Sequence, residues 1–221
     1  MHFTTFDKLL PWSGALAAVC WVGQDAFAKS YSKDSPGHAS TDLIQAHLGL
    51  NYASQGCIVG MGIALLFFAT AVRNLLRSGE AQEATYSNVA YGGWVVVVAA
   101  LSQMVTWNWG LINGAADAGD DAALRSLSYV AYFGWAGMGI GLATAFIATG
   151  FGGVRSSLLP RWFAIPTIVL GVLGALGDAG VPPGGLVTYL LLPFWLTTAS
   201  FVVARSLKRA TESTEPALAM S

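Results

Sequence analysis

The chain has 221 residues and a formal net charge of -1. Only 10% of its residues are charged, against about 25% in a typical soluble domain, while 54% are hydrophobic and mean hydropathy is +0.56. These figures exclude an ordinary water-soluble core, and the near-neutral charge excludes the basic footprint of a nucleic-acid-binding protein.

A membrane-spanning helix needs about 20 mostly apolar residues. Six segments meet that need, at about 9–28, 54–76, 89–112, 127–151, 162–181 and 185–204. The expected fold is therefore an all-α, polytopic six-helix bundle forming a single domain over residues 1–210, with a polar tail at 211–221. The first segment also resembles a secretory signal: Lys8 and an apolar stretch precede Ala26-Phe27-Ala28, an A-x-A pattern. Gln24 and Asp25, just before the supposed cut, argue against cleavage. With the first residues inside, Lys8, Arg73, Arg77, Arg155, Arg161, Arg205, Lys208 and Arg209 fall on one side. Only Lys29, Lys33 and Arg125 fall on the other. Lys and Arg favour the cytoplasmic face, so both termini are expected there, in a bacterial plasma membrane.

The loop at 29–52 is the longest on the outer side. Ser35-Pro36-Gly37 marks a turn. Leu43, Ile44, His47 and Leu48 then recur at helical spacing, which predicts a short amphipathic helix lying on the surface or capping the bundle.

Candidate site residues gather at one depth. Each helix that runs outward carries a Trp near its inner end and a polar residue further on: Trp12 with Asp25, Trp94 with Asn108, Trp162 with Asp178. These pairs are 13, 14 and 16 residues apart, roughly 20–24 Å along a helix. Asp25, Asn108 and Asp178 therefore belong to the outer third of the membrane, a zone that Gln24, Gln103, Asn113 and Asp117 extend. Ionisable groups inside a membrane usually face the bundle or a water-filled cavity. Asp25 and Asp178 are thus candidates for general acid chemistry, or they are simply solvated at the headgroups. Trp107-Asn108-Trp109 reads either as an interfacial aromatic belt or as the amphipathic wall of a ligand cavity, with Trp faces able to hold a cation. Trp21, Tyr132 and Trp135 complete the expected lining, Tyr132 and Trp135 sharing a helix face.

Small residues mark close helix packing: Gly56 with Gly60, Gly137 with Gly141, and Gly171, Gly174 and Gly177. The same faces could join two copies or a second protein. Pro166 and Pro193 fall within helices and should kink them. Gly60-Met61-Gly62-Ile63 echoes Gly137-Met138-Gly139-Ile140, and Leu10-Pro11-Trp12 echoes Leu159-Pro160-Arg161-Trp162, which suggests a parallel repeat of two-helix hairpins. Cys20 and Cys57 sit in apolar runs and read as small buried residues. His2, His38 and His47 all lie near or outside the membrane edge, so no paired-histidine haem site is expected. His38, His47 and Asp42 would be the one metal-binding option. No lysine lies deep in a helix, which excludes a retinal Schiff base. No cofactor and no metal are expected.

Several stretches resemble the uncharacterised six-pass membrane proteins common in actinobacteria. They are Asp34-Ser35-Pro36 before a short helix, Ala71-Val72-Arg73-Asn74-Leu75-Leu76-Arg77 at the end of the second segment, Ala122-Ala123-Leu124-Arg125-Ser126-Leu127, Ala148-Thr149-Gly150, and Leu158-Leu159-Pro160-Arg161-Trp162. The resemblance implies a six-helix bundle and no particular activity. Asp25 and Trp107-Asn108-Trp109 are not part of it.

The leading expectation is a protein that binds or moves a small, largely apolar molecule in a cavity at the outer side of the bundle, among membrane lipids. The alternatives are an intramembrane enzyme of cyclase or isomerase type, with an Asp as general acid and aromatic rings stabilising positive charge, or a non-catalytic subunit of a membrane complex.

Overall fold

The structure, a computed structural model, describes residues 8–30, 39–80 and 83–212, and these are all-helical. The Ser35-Pro36-Gly37 turn and the tail beyond 212 lie outside the described residues.

Helix α1 (Ser13–Phe27) follows a 3-10 turn, Leu10–Trp12. Pro11 suits such a first turn, where no backbone N–H is required. The 15 residues of α1 rise about 22 Å, short of a hydrocarbon core about 30 Å thick. Helix α2 (Thr41–Ala46) is the expected short helix, and His47 separates it from α3 (Leu48–Gly79). Helix α4 (Thr85–Gly110) runs on through a π-turn, Leu111–Ala115, to Ala118. Gly119, at φ 63°, stops it, in the left-handed region that glycine adopts most readily. The Asp120 carboxylate then accepts the N–H groups of Ala122 and Ala123 at 3.1 and 3.0 Å, the usual N-cap arrangement, and α5 (Asp121–Tyr132) begins. A 3-10 segment, Gly134–Met138, joins α5 to α6 (Gly139–Arg155). Helix α7 (Arg161–Asp178) starts after Pro160, and α8 (Gly184–Glu212) closes the fold.

Among the described residues, five helical stretches are long and apolar enough to cross a membrane: Leu48–Gly79, Thr85–Ala118, Asp121–Arg155, Arg161–Asp178 and Gly184–Arg209. Expectation and structure part at the fourth segment, which is interrupted. The turn at Phe133 and the glycines at 134 and 137 replace a straight helix with a 3-10 step.

The helices close a ring in the order α1, α3, α4, α6, α7, α8, with α8 returning to α1. Aromatic rings fill its centre. Trp195 of α8 lies 4.3 Å from Phe146, 5.7 Å from Phe163, 5.8 Å from Trp94 and 6.0 Å from Phe68, centroid to centroid. Its indole Nε1 donates to Thr167 Oγ1 at 2.8 Å. Trp94, read from sequence as an inner-end residue, is fully buried in this centre.

Glycines set the distances between neighbours. Gly93 of α4 faces Gly141 and Ala145 of α6, and Gly150 and Gly171 bring α6 and α7 together. Gly177 meets Gly185 where α7 and α8 join. The sequence pair Gly56 and Gly60 behaves differently: among the described residues no neighbouring atom lies within 4 Å of a Cβ built at Gly56, and only Cys20 Sγ, at 3.4 Å, approaches one at Gly60. A second, smaller core caps one end: Ile44 of α2 is buried among Leu111, Ile112 and Leu124.

Candidate functional site

The site is built at the end of the bundle where α1 stops and α8 starts. The last turn of α1 carries Gln24 and Asp25, and the second turn of α8 carries Tyr189. Tyr189 OH lies 3.2 Å from both Asp25 carboxylate oxygens and donates to that group. Gln24 Nε2 donates to Asp25 Oδ1 at 2.5 Å and reaches Tyr189 OH at 3.3 Å. The Tyr189 ring is flanked by Trp21 at 4.5 Å and Trp135 at 5.8 Å. Gln24 and Trp21 are buried while the Asp25 side is exposed. The result is a carboxylate held by two donors, standing at the rim of an aromatic wall.

Helix α3 fixes this end of α1. Ser54 Oγ donates to the Gln24 carbonyl at 2.7 Å. Asn51 Oδ1 accepts the Lys29 N–H at 2.8 Å and the Ser30 hydroxyl at 3.0 Å, so the chain leaving α1 is tied to a buried amide. Removing that acceptor leaves two donors without it, at about 1 kcal/mol or more each. Asn51→Ala is therefore expected to lower the thermal unfolding midpoint of the purified protein, and Asn51→Asp, which keeps the acceptor, to lower it less.

Asp178 ends α7 near Trp135 and Tyr189. Its carboxylate lies directly over Gly139, the first residue of α6, where a Cβ would overlap it. Trp135, Gly139, Asp178, Thr188 and Tyr189 line one small shared recess. Tyr189 is therefore common to both carboxylates: its hydroxyl meets Asp25, and it lines the recess that Asp178 borders.

The other residues expected at the site lie elsewhere. In the ring, α4 is opposite α8, so Trp107, Asn108 and Trp109 are carried away from Asp25. Trp107 packs against Gly134. Trp109 is half exposed, with its ring 5.9 Å from that of Tyr52. The Tyr52 hydroxyl donates to Asn113 Oδ1 at 2.5 Å, within the π-turn. Gln103 is exposed on α4, and Tyr132 is exposed beside Phe133. Trp21, Gln24, Asp25 and Trp135 are brought together; Gln103, Trp107, Asn108, Trp109, Asn113 and Tyr132 are not.

Tyr189, the residue that links the cluster, is absent from the sequence expectation. A signal for it existed: it is a polar-tipped residue about one turn into an apolar helix, near the end of that helix as Asp25 is near the end of α1.

Cys20 and Cys57 are half-buried and unbridged where α1 meets α3. Among the described residues no group of three or more His, Cys, Asp or Glu side chains is placed to hold a metal ion.

Comparison with protein-family models, curated proteins and solved structures finds no match for this chain. The functional reading therefore rests on the geometry of the site.

Proposed function

We propose that the chain is a six-pass protein of a bacterial plasma membrane, both ends cytoplasmic, that binds a small, largely apolar molecule at the outer end of its helix bundle. The 3-10 turn Leu10–Trp12 lengthens α1 toward a sixth crossing. The distribution of Lys and Arg supports the orientation.

The observation that carries the binding reading is the Gln24–Asp25–Tyr189 cluster between Trp21 and Trp135. Apolar rings would take the body of the ligand, and the carboxylate would meet its polar or cationic part. The packed aromatic centre around Trp195 favours binding at one end over passage through the middle.

The test uses a fluorescent aromatic amine, such as aminoanthracene, titrated into protein reconstituted in phosphatidylcholine nanodiscs. Tyr189→Phe removes the hydroxyl that orients Asp25. Loss of a hydrogen bond to a charged group is expected to weaken binding by about tenfold. Asp25→Asn is expected to weaken it at least as much. Binding unchanged in both variants would sink the reading.

One observation favours a second reading, an intramembrane enzyme. A tyrosine hydroxyl held on a carboxylate is a proton donor and acceptor in contact, which suits acid–base chemistry. Turnover lost with binding retained in Asp25→Asn would bring that reading forward.

A further inference from the structure

Helix α6 is recessed between α4 and α7. Its small residues Ala143, Thr144 and Ala148 form the floor of a surface groove walled by Val89 of α4 and Ala175 of α7. The groove has a volume of about 540 Å³, within the range of ligand pockets. From Ile140 to Phe151 it follows roughly 16 Å of helix, close to the half-thickness of a hydrocarbon core about 30 Å across. Its lining is mostly apolar, with Thr144 partway along the floor, Thr85 and Tyr86 near one end and the Asp178 carboxylate at the other.

Asp178 also lines the recess that holds Trp135 and Tyr189. One carboxylate therefore stands where the groove along α6 meets the proposed binding site. Gly139 makes this position possible, since any side chain there would displace the carboxylate. Asp178 has no ionic partner among the described residues. The same end of the bundle carries Asp25, Asp42, Asp117, Asp120 and Asp121 against Lys29 and Arg125 among the described residues.

We infer that the groove seats a membrane amphiphile with one hydrocarbon chain and a cationic amine head. The chain lies along α6, and the amine meets Asp178. The inference rests on the reading above, in which this end faces outward and takes a small apolar ligand, and it adds the ligand's class and its route, sideways from the lipid. Charge complementarity selects the head group. An amine is attracted to an unpaired carboxylate, whereas a phosphate-bearing head would meet a predominantly acidic end.

The test uses two photoreactive probes in phosphatidylcholine vesicles containing the full chain: a diazirine-bearing hexadecylamine and the matching hexadecanol. Labelled peptides are located by mass spectrometry. The amine is expected to label residues 140–151 about tenfold more than the alcohol, as for one charge-assisted contact. Asp178→Asn should reduce the amine to the level of the alcohol. Gly139→Ala keeps the charge but displaces the carboxylate, and should also reduce labelling. Ala175→Phe fills the groove from its exposed wall and should abolish labelling there by both probes.

Equal labelling by amine and alcohol overturns the inference. So does labelling spread evenly over the lipid-facing helices and unmoved by Asp178→Asn and Ala175→Phe. If that result comes while the aromatic amine still binds in a Tyr189-dependent way, only the groove falls. If both fail, the proposed function falls with it. Asp178 and Ala175 are exposed, so their variants are expected to fold as the parent does. The unlabelled variants' melting curves check this.

Discussion

Trp195→Ala is expected to be the most damaging single truncation in the bundle. The indole touches rings from four other helices: Phe68 on α3, Trp94 on α4, Phe146 on α6 and Phe163 on α7. It is the one point where most of the ring of helices meets. In a water-soluble core such a truncation costs about 3–5 kcal/mol. Lipid is as apolar as the bundle interior, so the transfer part of that figure shrinks here, while the lost contacts and the cavity remain. The expected loss is therefore about 3 kcal/mol, at the lower end of that range. It should appear as a large drop in the unfolding midpoint of the protein in nanodiscs. Trp195→Phe separates packing from polarity. It fills much of the space but leaves the Thr167 hydroxyl without its indole donor. Thr167 keeps its own bond to the Phe163 carbonyl at 2.8 Å, so Phe should recover most of the stability. A truncation no worse than Trp195→Phe would mean that the aromatic centre is not what holds the ring closed.

What could be read from the sequence divides by physical cause. Hydropathy reports how long an apolar run is, and that depends on the residues alone. The five long helices were visible for this reason, as was α2, signalled by Leu43, Ile44, His47 and Leu48, although Leu48 opens α3. Distance along each helix was also legible, because the rise per residue is fixed. That put Gln24, Asp25, Gln103, Asn108, Asn113, Asp117 and Asp178 in one expected zone, of which Gln24 and Asp25 join Tyr189 and Asp178 borders the same recess. Azimuth was not legible. Successive helical residues point about 100° apart, and only the neighbours decide which face turns inward. Trp94 and Trp162 had parallel positions in the sequence pattern, yet Trp94 is fully buried and Trp162 is 64% exposed.

The order of helices around the ring was hidden for the same reason, and it decides which residues can share a site. Trp107-Asn108-Trp109 lies on α4, opposite α8, whereas Tyr189 sits on α8 beside α1. The densest aromatic run in the sequence therefore packs with Tyr52 and Gly134, and a single tyrosine in an apolar helix completes the cluster at Asp25. The interruption at Phe133–Met138 was equally hidden. Gly137 read as a packing residue, but the 3-10 step there is what brings Trp135 to Tyr189.

The glycine seams offer the second large effect, and one with an internal control. At Gly93 an added Cβ would lie 2.8 Å from the Gly141 carbonyl oxygen and 2.9 Å from Ala145 Cα. Those are backbone atoms of α6 and cannot rotate away. At Gly141 the contact is reciprocal, with the Gly93 carbonyl oxygen 2.7 Å from a Cβ built there. Relief requires α4 and α6 to separate, which would loosen the Phe146 and Trp94 contact in the bundle centre, 5.9 Å between centroids. Overpacking of a tight interface costs about 1–3 kcal/mol, and the helix-propensity gain of alanine over glycine offsets no more than about 1 kcal/mol of it. Gly92→Ala isolates that propensity gain, because among the described residues no neighbouring atom lies within 4 Å of a Cβ at Gly92. The unfolding midpoint in nanodiscs is expected to rise slightly for Gly92→Ala and to fall by several degrees for Gly93→Ala. Equal midpoints for the two variants would show that α4 and α6 are not in backbone contact, and the ring would have to be drawn with that seam open.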